Sequence, residues 1–403
     1  MEMNNMFKKR QKLIILVFLV LSFFVLSYSN TTIGRVLRYG PANVNHYKAF
    51  PHHDFSNEGP IFKFGESNLE SVVKNRFAEV KYGDNKIGDL DEFLEKTDTT
   101  SFIVIYKDNI IFERYYNGYT RESTVTSFSV AKSFVSALIG IAIDEGYIKS
   151  LYDPITDYLP ELKERDIRFS EIRIIDLLHM SSGLKYNEPP DDIYTYYAPN
   201  LRKLALEKTK IEESPSEKFL YNNYNPLFLG MIIERSTNSS VSEYMDEKIW
   251  KPVGMEFDGS WSIDANDFEK MESGINCKVI DFAKFGRLYL RKGNWNGKQL
   301  IPSGWVVAST APYFPEDKNY YPDKTFFKEY SGYYSLMWWG IQREDTSYDF
   351  YAAGNHGQYI YVSPEKNLII VRNGISYGKD MDSENINWWP IVLYQFANQF
   401  PSE

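Results

Sequence analysis

The sequence predicts an α+β fold: an antiparallel sheet built from both chain ends and flanked by helices, with a mainly helical lobe inserted and an apolar anchor helix in front. Three observations predict it. Residues 102–116 (FIVIYKDNIIFERYY) are two β-rich runs around Lys107, Asp108 and Asn109, the pattern of a hairpin. A second such pattern, QYIYV-SPEKN-LIIVRNG, occupies residues 358–374. Between them, residues 150–270 are helical and loop-rich, so strands from the two ends must meet around an inserted lobe.

Taken in order, the chain begins with Lys8, Lys9, Arg10 and Lys12, followed by an uncharged apolar run at 13–28. That run lies between the lengths of a signal-peptide core and a full membrane span. The basic residues before it favour a cytoplasmic N-terminus and an exported remainder. Residues 1–29 are therefore expected to be a signal peptide or membrane anchor, with a weak cleavage site at Ser27-Tyr28-Ser29 and no cysteine for lipid attachment. Residues 30–85, with Pro41, Pro51 and Pro60, read as a linker packing onto the main body, which spans 86–403. Within that body a short helical pattern (DLDEFLEK) precedes the first hairpin. A long apolar helix follows from Ser129 to about Asp144, closed by Gly146. An amphipathic helix from about Trp388 to Phe400 ends the chain.

Composition excludes several function classes. The 403 residues carry a net charge of −9, and no basic stripe lies beyond the extreme N-terminus, so nucleic acid is excluded as a partner. The single cysteine, Cys277, forbids an internal disulfide and lies in a polar stretch, GINCKVIDF, that suggests a structural role. The five histidines show no HExxH spacing, and His52 and His53, adjacent on an extended chain, point to opposite sides. No metal or cofactor is expected.

A serine followed three residues later by lysine on a helix puts both side chains on one face, one turn apart. The lysine can take the serine's proton once burial or a neighbouring cation lowers its pKa. The helix N-terminus then favours the oxyanion. The S-x-x-K pattern occurs five times, beginning at Ser71, Ser129, Ser182, Ser363 and Ser376. Only Ser129-Val130-Ala131-Lys132 opens a helix that continues almost wholly apolar (SFVSALIGIAI). A second element, Tyr221-Asn222-Asn223, places a phenol and an amide two residues apart before another apolar helix, where they can relay a proton and hold a carbonyl.

With these motifs in order, the chain resembles the serine β-lactamase-related, penicillin-binding-protein-like superfamily, which includes class C β-lactamases, D-alanyl-D-alanine carboxypeptidases, esterases and 6-aminohexanoate-oligomer hydrolases. TSFSVAKSFVSALIG, DPITDYLPEL, IIDLLHMSSGL, FLYNNYNPLFLG, FAKFGRLYLRKGNWNGKQLIP and AAGNHGQYIYVSPEKNLIIV carry the resemblance, across roughly residues 90–400. It implies Ser129 as nucleophile through an acyl-enzyme, Lys132 as general base and Tyr221 as proton relay to the leaving group. Asn223 would orient Lys132 or the substrate. The backbone N–H groups of Ser129 and of the third-motif strand, at Gln358, would form the oxyanion hole. His179 matches a position that is structural more often than catalytic.

The third motif departs from the family's Lys-Thr-Gly or His-x-Gly, reading Ala353-Gly354-Asn355-His356-Gly357-Gln358. If Gly357 closes it, the first position is the uncharged Asn355; if His356 opens it, the closing residue is Gln358 rather than glycine. Either register counts against efficient turnover of β-lactams or D-Ala-D-Ala peptides, both of which present a carboxylate. The G-x-x-G-Q pattern is more similar to the amide and ester hydrolases near the 6-aminohexanoate-oligomer branch.

The expectation is therefore an exported serine hydrolase with a small or peptide-like amide or ester substrate, meeting the membrane through its N-terminal segment. The competing readings are a peptidoglycan D,D-peptidase or β-lactamase, and a non-catalytic penicillin-binding envelope protein. An α/β-hydrolase is disfavoured by the lack of a G-x-S-x-G elbow. Tyr186, Tyr194, Tyr196, Tyr197, Trp338 and Trp339 are candidates to line the cleft or to pack in the core.

Overall fold

Strands apolar at successive positions need cover on both faces. The computed structural model, which describes residues 31–82, 85–378 and 388–402, provides it around one eight-stranded sheet. Its strands are β1 (Gly65–Glu66), β2 (Thr99–Tyr106), β3 (Asn109–Tyr115), β4 (Gly332–Tyr334), β5 (Trp339–Gln342), β6 (Tyr348–Gly354), β7 (Gln358–Ser363) and β8 (Leu368–Gly374). The order is β4-β5-β6-β7-β8-β2-β3-β1, antiparallel throughout except for the short β1, which runs parallel to β3. The two chain ends meet where β8 pairs with β2, Ile370 opposite Val104. The first hairpin turns on Lys107 and Asp108, both at positive φ, as a two-residue turn between twisted strands requires.

Period-two alternation divides the side chains between two cores. Ile103, Ile105, Ile360, Val362, Ile369 and Val371 face the helical lobe. Phe102, Val104, Tyr359, Tyr361, Leu368 and Ile370 face the opposite layer. The helices that position the site are α1 (Thr32–Tyr39), α2 (Ala131–Asp144), α3 (Pro190–Tyr197), α4 (Tyr224–Thr237), α5 (Val279–Leu290), α6 (Ser303–Thr310) and α7 (Trp388–Ala397). Helix α2 is buried at every residue from Ala131 to Ala142, which explains its lack of a polar face. It ends at Gly146, whose φ of 77° lets the Tyr147 N–H turn back to the Ala142 carbonyl. Helix α5 lies against the sheet at Gly286, where an added Cβ would come within 2.9 Å of Ile360 and 3.0 Å of Ile369.

The described residues of the 30–85 segment carry secondary structure of their own. His52–Phe55 is the edge strand of a second sheet, followed in space by Gly259–Ser262, Ile275–Cys277 and Val125–Thr126. The expected anchor at 13–28 and the cleavage site at 27–29 lie outside the described residues. Among the described residues, no helix is long and apolar enough to cross a membrane.

Candidate active site

The strand Val125–Thr126 runs straight into the turn that holds Ser129. Ser127 fixes this junction twice: its N–H donates to the Ile275 carbonyl at 2.7 Å, and its Oγ accepts the Ile275 N–H at 3.0 Å. Phe128 then takes a left-handed φ of 43°, a conformation costing about 1–3 kcal/mol outside glycine and persisting only where its surroundings impose it. Ser129 follows in a 3₁₀ turn, Phe128–Val130, that feeds α2. The end of β6 completes the clamp. A Cβ on Gly354 would lie 2.2 Å from the Ser127 carbonyl oxygen and 3.1 Å from the Ser129 nitrogen, so only glycine lets β6 come this close.

Lys132 lies one turn on and is 1% exposed. Its Nζ donates to Ser129 Oγ at 2.8 Å and to the Glu272 backbone carbonyl at 3.1 Å, and sits 4.9 Å from the centre of the Tyr221 ring. Burial lowers its pKa to about 7, against the opposing pull of Glu272 and Asp192. The neutral amine that a base requires is thus well populated near neutral pH. Burial raises the pKa of Tyr221 well above the usual tyrosine value, against the opposing influence of Ser129, so it stands in the site as a neutral phenol. Three of the four competing S-x-x-K serines make structural hydrogen bonds: Ser182 Oγ donates to Asn225, Ser363 Oγ to Asp349 and Ser376 Oγ to Asp98, each at 2.7 Å.

Of the two partners expected for Asn223, Lys132 or the substrate, it does not contact Lys132. Its Nδ2 donates to the Tyr186 hydroxyl at 2.9 Å, Asp192 Oδ1 at 3.0 Å and Thr195 Oγ1 at 3.3 Å, tying α4 to α3. The second anchor of Lys132 is instead the Glu272 carbonyl, a residue no sequence motif marks. Glu272 is itself buried, as is Lys270, and their side chains pair at 3.1 Å. Lys270 also donates to the Tyr196 carbonyl at 2.5 Å and lies 4.3 Å from the Tyr196 ring centre.

The third motif presents no cation to the cleft. Gly354, which motif matching did not single out, is the glycine that abuts Ser129. Asn355 follows it; its N–H has no acceptor among the described residues, and its Oδ1 accepts the His356 N–H at 2.8 Å. His356 directs Nδ1 to the Ile375 carbonyl at 2.8 Å and Nε2 to the Ala42 carbonyl at 3.2 Å, with its ring 5.0 Å from Phe128. Gln358 turns its side chain into the sheet, donating to the Gly374 carbonyl at 2.8 Å and accepting from Asn373 at 2.7 Å. Gly357 leaves room for Arg372, whose buried guanidinium donates to the Gly357 carbonyl and Thr97 carbonyl at 2.6 Å each. Arg372 is therefore spent on holding the turn.

The remaining candidates divide similarly. Trp338 is a core residue, whereas Trp339 stands 5.6 Å from the Tyr221 ring. Tyr186 and Tyr197 are buried, Tyr194 is exposed, and Tyr196 stacks 6.4 Å from Phe128. His179 stacks on Tyr313 at 3.9 Å, and burial lowers its pKa to about 4. Cys277 is buried and its thiol pKa is raised well above normal. His53 pairs with Glu269 and Asp267 while His52 reaches the Phe50 carbonyl. Among the described residues, no group of three or more His, Cys, Asp or Glu is placed to hold a metal.

With this geometry in hand, similarity to known proteins acquires a site to refer to. The profile of the Beta-lactamase family matches residues 89–374. The chain is 26% identical to 6-aminohexanoate-dimer hydrolase of Paenarthrobacter ureafaciens over 309 residues, 71% of this chain and 75% of that protein. It is 24% identical to teichoic acid D-alanine hydrolase of Staphylococcus aureus over 201 residues, 47% of this chain and 49% of that one. A solved structure from Bacillus anthracis, provisionally described as a 6-aminohexanoate-dimer hydrolase, shares the fold with a TM-score of 0.73 at 24% identity, over 88% of this chain and 92% of that one.

Proposed function

The chain belongs to the beta-lactamase family, and on that premise we propose that it is a serine hydrolase of amides or esters that works through an acyl-enzyme on Ser129. The observation that carries this reading is the buried Lys132 amine 2.8 Å from Ser129 Oγ. Lys132 takes the Ser129 proton as Oγ forms its bond to the substrate carbonyl carbon. Tyr221 passes that proton to the leaving nitrogen or oxygen as the scissile bond breaks. Water then attacks the ester on Ser129, with the same groups returning the proton to Oγ. The N–H groups of Ser129 and Asn355, on the two backbone segments that Gly354 brings together, are the oxyanion donors of this reading; Asn355 replaces the expected Gln358, which pairs with Gly354 across the β6–β7 ladder rather than following it toward Ser129.

The substrate class follows from the third motif. His356 and Arg372 direct their ring and guanidinium nitrogens at the chain's own carbonyls, so neither is placed to hold a substrate carboxylate. This favours an amide or ester without a neighbouring carboxylate over a β-lactam or D-Ala-D-Ala peptide. It also brings the chain toward 6-aminohexanoate-dimer hydrolase, the relative it covers most fully of the two described above. The basic cluster and the apolar run at 13–28 support an exported protein, with residues 1–29 as anchor or signal and 86–403 as the catalytic body.

The test is to mix the full-length protein and its Ser129→Ala variant separately with a p-nitrophenyl ester and with a penicillin, following product release and intact mass. Ester turnover that vanishes in the variant, with little penicillin hydrolysis, is expected. A penicilloyl adduct that forms fast on Ser129 would move the substrate to the β-lactam and peptidoglycan class. Ester turnover that survives in the variant would overturn the assignment of the nucleophile.

A further inference from the structure

Helix α1 is inside out. One of its two arginines, Arg35, is 5% exposed and packs its guanidinium against the rings of Tyr39 and Phe50 at 5.4 and 5.5 Å. Its two large aliphatic residues, Ile33 and Leu37, are 66% and 81% exposed, and four residues apart they share one face. Single exposed apolar residues are ordinary. A helix that buries one of its two arginines while turning Ile and Leu outward is not accounted for by the fold.

The neighbouring surface continues the pattern. Helix α1 packs on α3, which leaves Ile193 and Tyr194 exposed at 43% and 48%. Helix α3 is also a wall of the catalytic cleft: its Asp192 and Thr195 hold Asn223, and its Tyr196 stacks over Phe128 beside the nucleophile. From α1 the chain crosses directly to the third motif, where the Ala42 carbonyl meets His356.

We infer that the Ile33–Leu37 face of α1 lies on a lipid bilayer, with the α3 side of the cleft held at the membrane–water interface and amphiphilic substrates presented to Ser129 from that surface. Chain length selects this occupant. Thr32 follows Tyr28, the last residue of the apolar run, by four residues, which span at most about 14 Å even when fully extended. The headgroup layer on each side of the hydrocarbon is about 5–8 Å thick. If residues 13–28 enter the hydrocarbon, α1 begins within reach of the layer in which an apolar helix face sinks about 5–10 Å. Arg38, exposed on the same helix, suits an anionic headgroup. The inference rests on the membrane-anchor reading of residues 1–29, and its test separates the two.

The full-length protein is made as Leu37→Cys, carrying an environment-sensitive fluorophore, and reconstituted with phosphatidylglycerol vesicles. Val307→Cys on α6, also exposed, is the reference, and Cys277, buried at 1% exposure, stays unlabelled. The expected result is a blue-shifted probe at position 37 that is quenched by nitroxide-labelled lipid and protected from iodide, with neither effect at position 307. Protein that floats with vesicles while its position-37 probe stays open to iodide would overturn the docking and leave the anchor standing. Protein that does not float would overturn both. Protection from iodide without lipid quenching would replace the bilayer with a second copy or with the chain's own apolar run, which dilution separates. As an independent readout, the Ile33→Ser/Leu37→Ser variant is expected to lose severalfold activity on a long-chain ester dispersed in the vesicles. It should keep its rate on a water-soluble ester; equal rates on both substrates would overturn the proposed presentation.

Discussion

Two buried lysines lie on either side of Glu272 and are treated in opposite ways. Lys270 meets the Glu272 carboxylate at 3.1 Å, so its charge is balanced within the protein interior. Lys132 meets only that residue's backbone carbonyl, at 3.1 Å, together with Ser129 Oγ and the face of Tyr221. Burial lowers the pKa of both, and Glu272 opposes this in both. What differs is contact: a carboxylate touching Lys132 would keep it protonated and useless as a base, whereas a carbonyl orients it without supplying a counter-ion. On the proposed mechanism, a general base is made by withholding a partner that the neighbouring lysine receives. Lys270 in turn occupies the carboxylate that would otherwise act unopposed on Lys132.

The largest expected effect tests the first half of that contrast. Lys132→Met should reduce kcat/KM by about 10²–10⁴-fold. In the wild type, kcat/KM should rise with pH through about 7 as the ammonium loses its proton, since the base works only when neutral. A profile flat across that range, or a Met variant with the wild-type rate, would remove Lys132 from the base role.

Next comes the clamp that holds Ser129 against this lysine. In Gly354→Ala the new Cβ would meet the Ser127 carbonyl at 2.2 Å, so the Ser127–Ser129 backbone must move. A displacement near 1 Å costs on the order of 10²-fold in rate. Measuring kcat alongside thermal unfolding distinguishes a displaced nucleophile from lost folding: kcat should fall well beyond any drop in folded fraction.

The subtlest effect tests the second half. Lys270→Met leaves the Glu272 carboxylate buried without its counter-ion, a change that costs about 3–5 kcal/mol of stability. The uncompensated charge should raise the pKa of Lys132 and move the acid limb of kcat/KM to higher pH. At pH values below the limb, the rate falls about tenfold for each unit moved. Adding Glu272→Gln to that variant should bring the limb back. A limb that stays put in Lys270→Met would show that Lys132 does not feel this carboxylate.

The contrast between the two lysines also separates what was legible from what was not. Ser129 and Lys132 could be paired from their spacing because they lie within one helical turn, where local geometry sets the contact. The apolar continuation of α2 marked, among five S-x-x-K patterns, the one whose lysine is buried against its serine, because burial on every face leaves a compositional trace. Lys270 and Glu272 left none: FEKMESG reads as an ordinary polar stretch, and their role depends on a fold that brings them 140 residues back along the chain to Lys132. That Asn223 meets Tyr186, Asp192 and Thr195 rather than Lys132 was not legible, since these partners lie on a loop and helix whose position no local pattern encodes.

By itself, the sequence determined the sheet of paired chain ends, the inserted helical lobe, the buried helix and the Ser-Lys and Tyr elements. Each of these rests on periodicity or short-range spacing, which a single chain displays directly. Only the tertiary structure decided that Gly354 is the glycine against Ser129, that His356 and Arg372 serve the backbone, and that Lys132 is buried with a carbonyl for company. Those outcomes depend on distances between remote segments and on exclusion of water, quantities that exist only once the chain has folded.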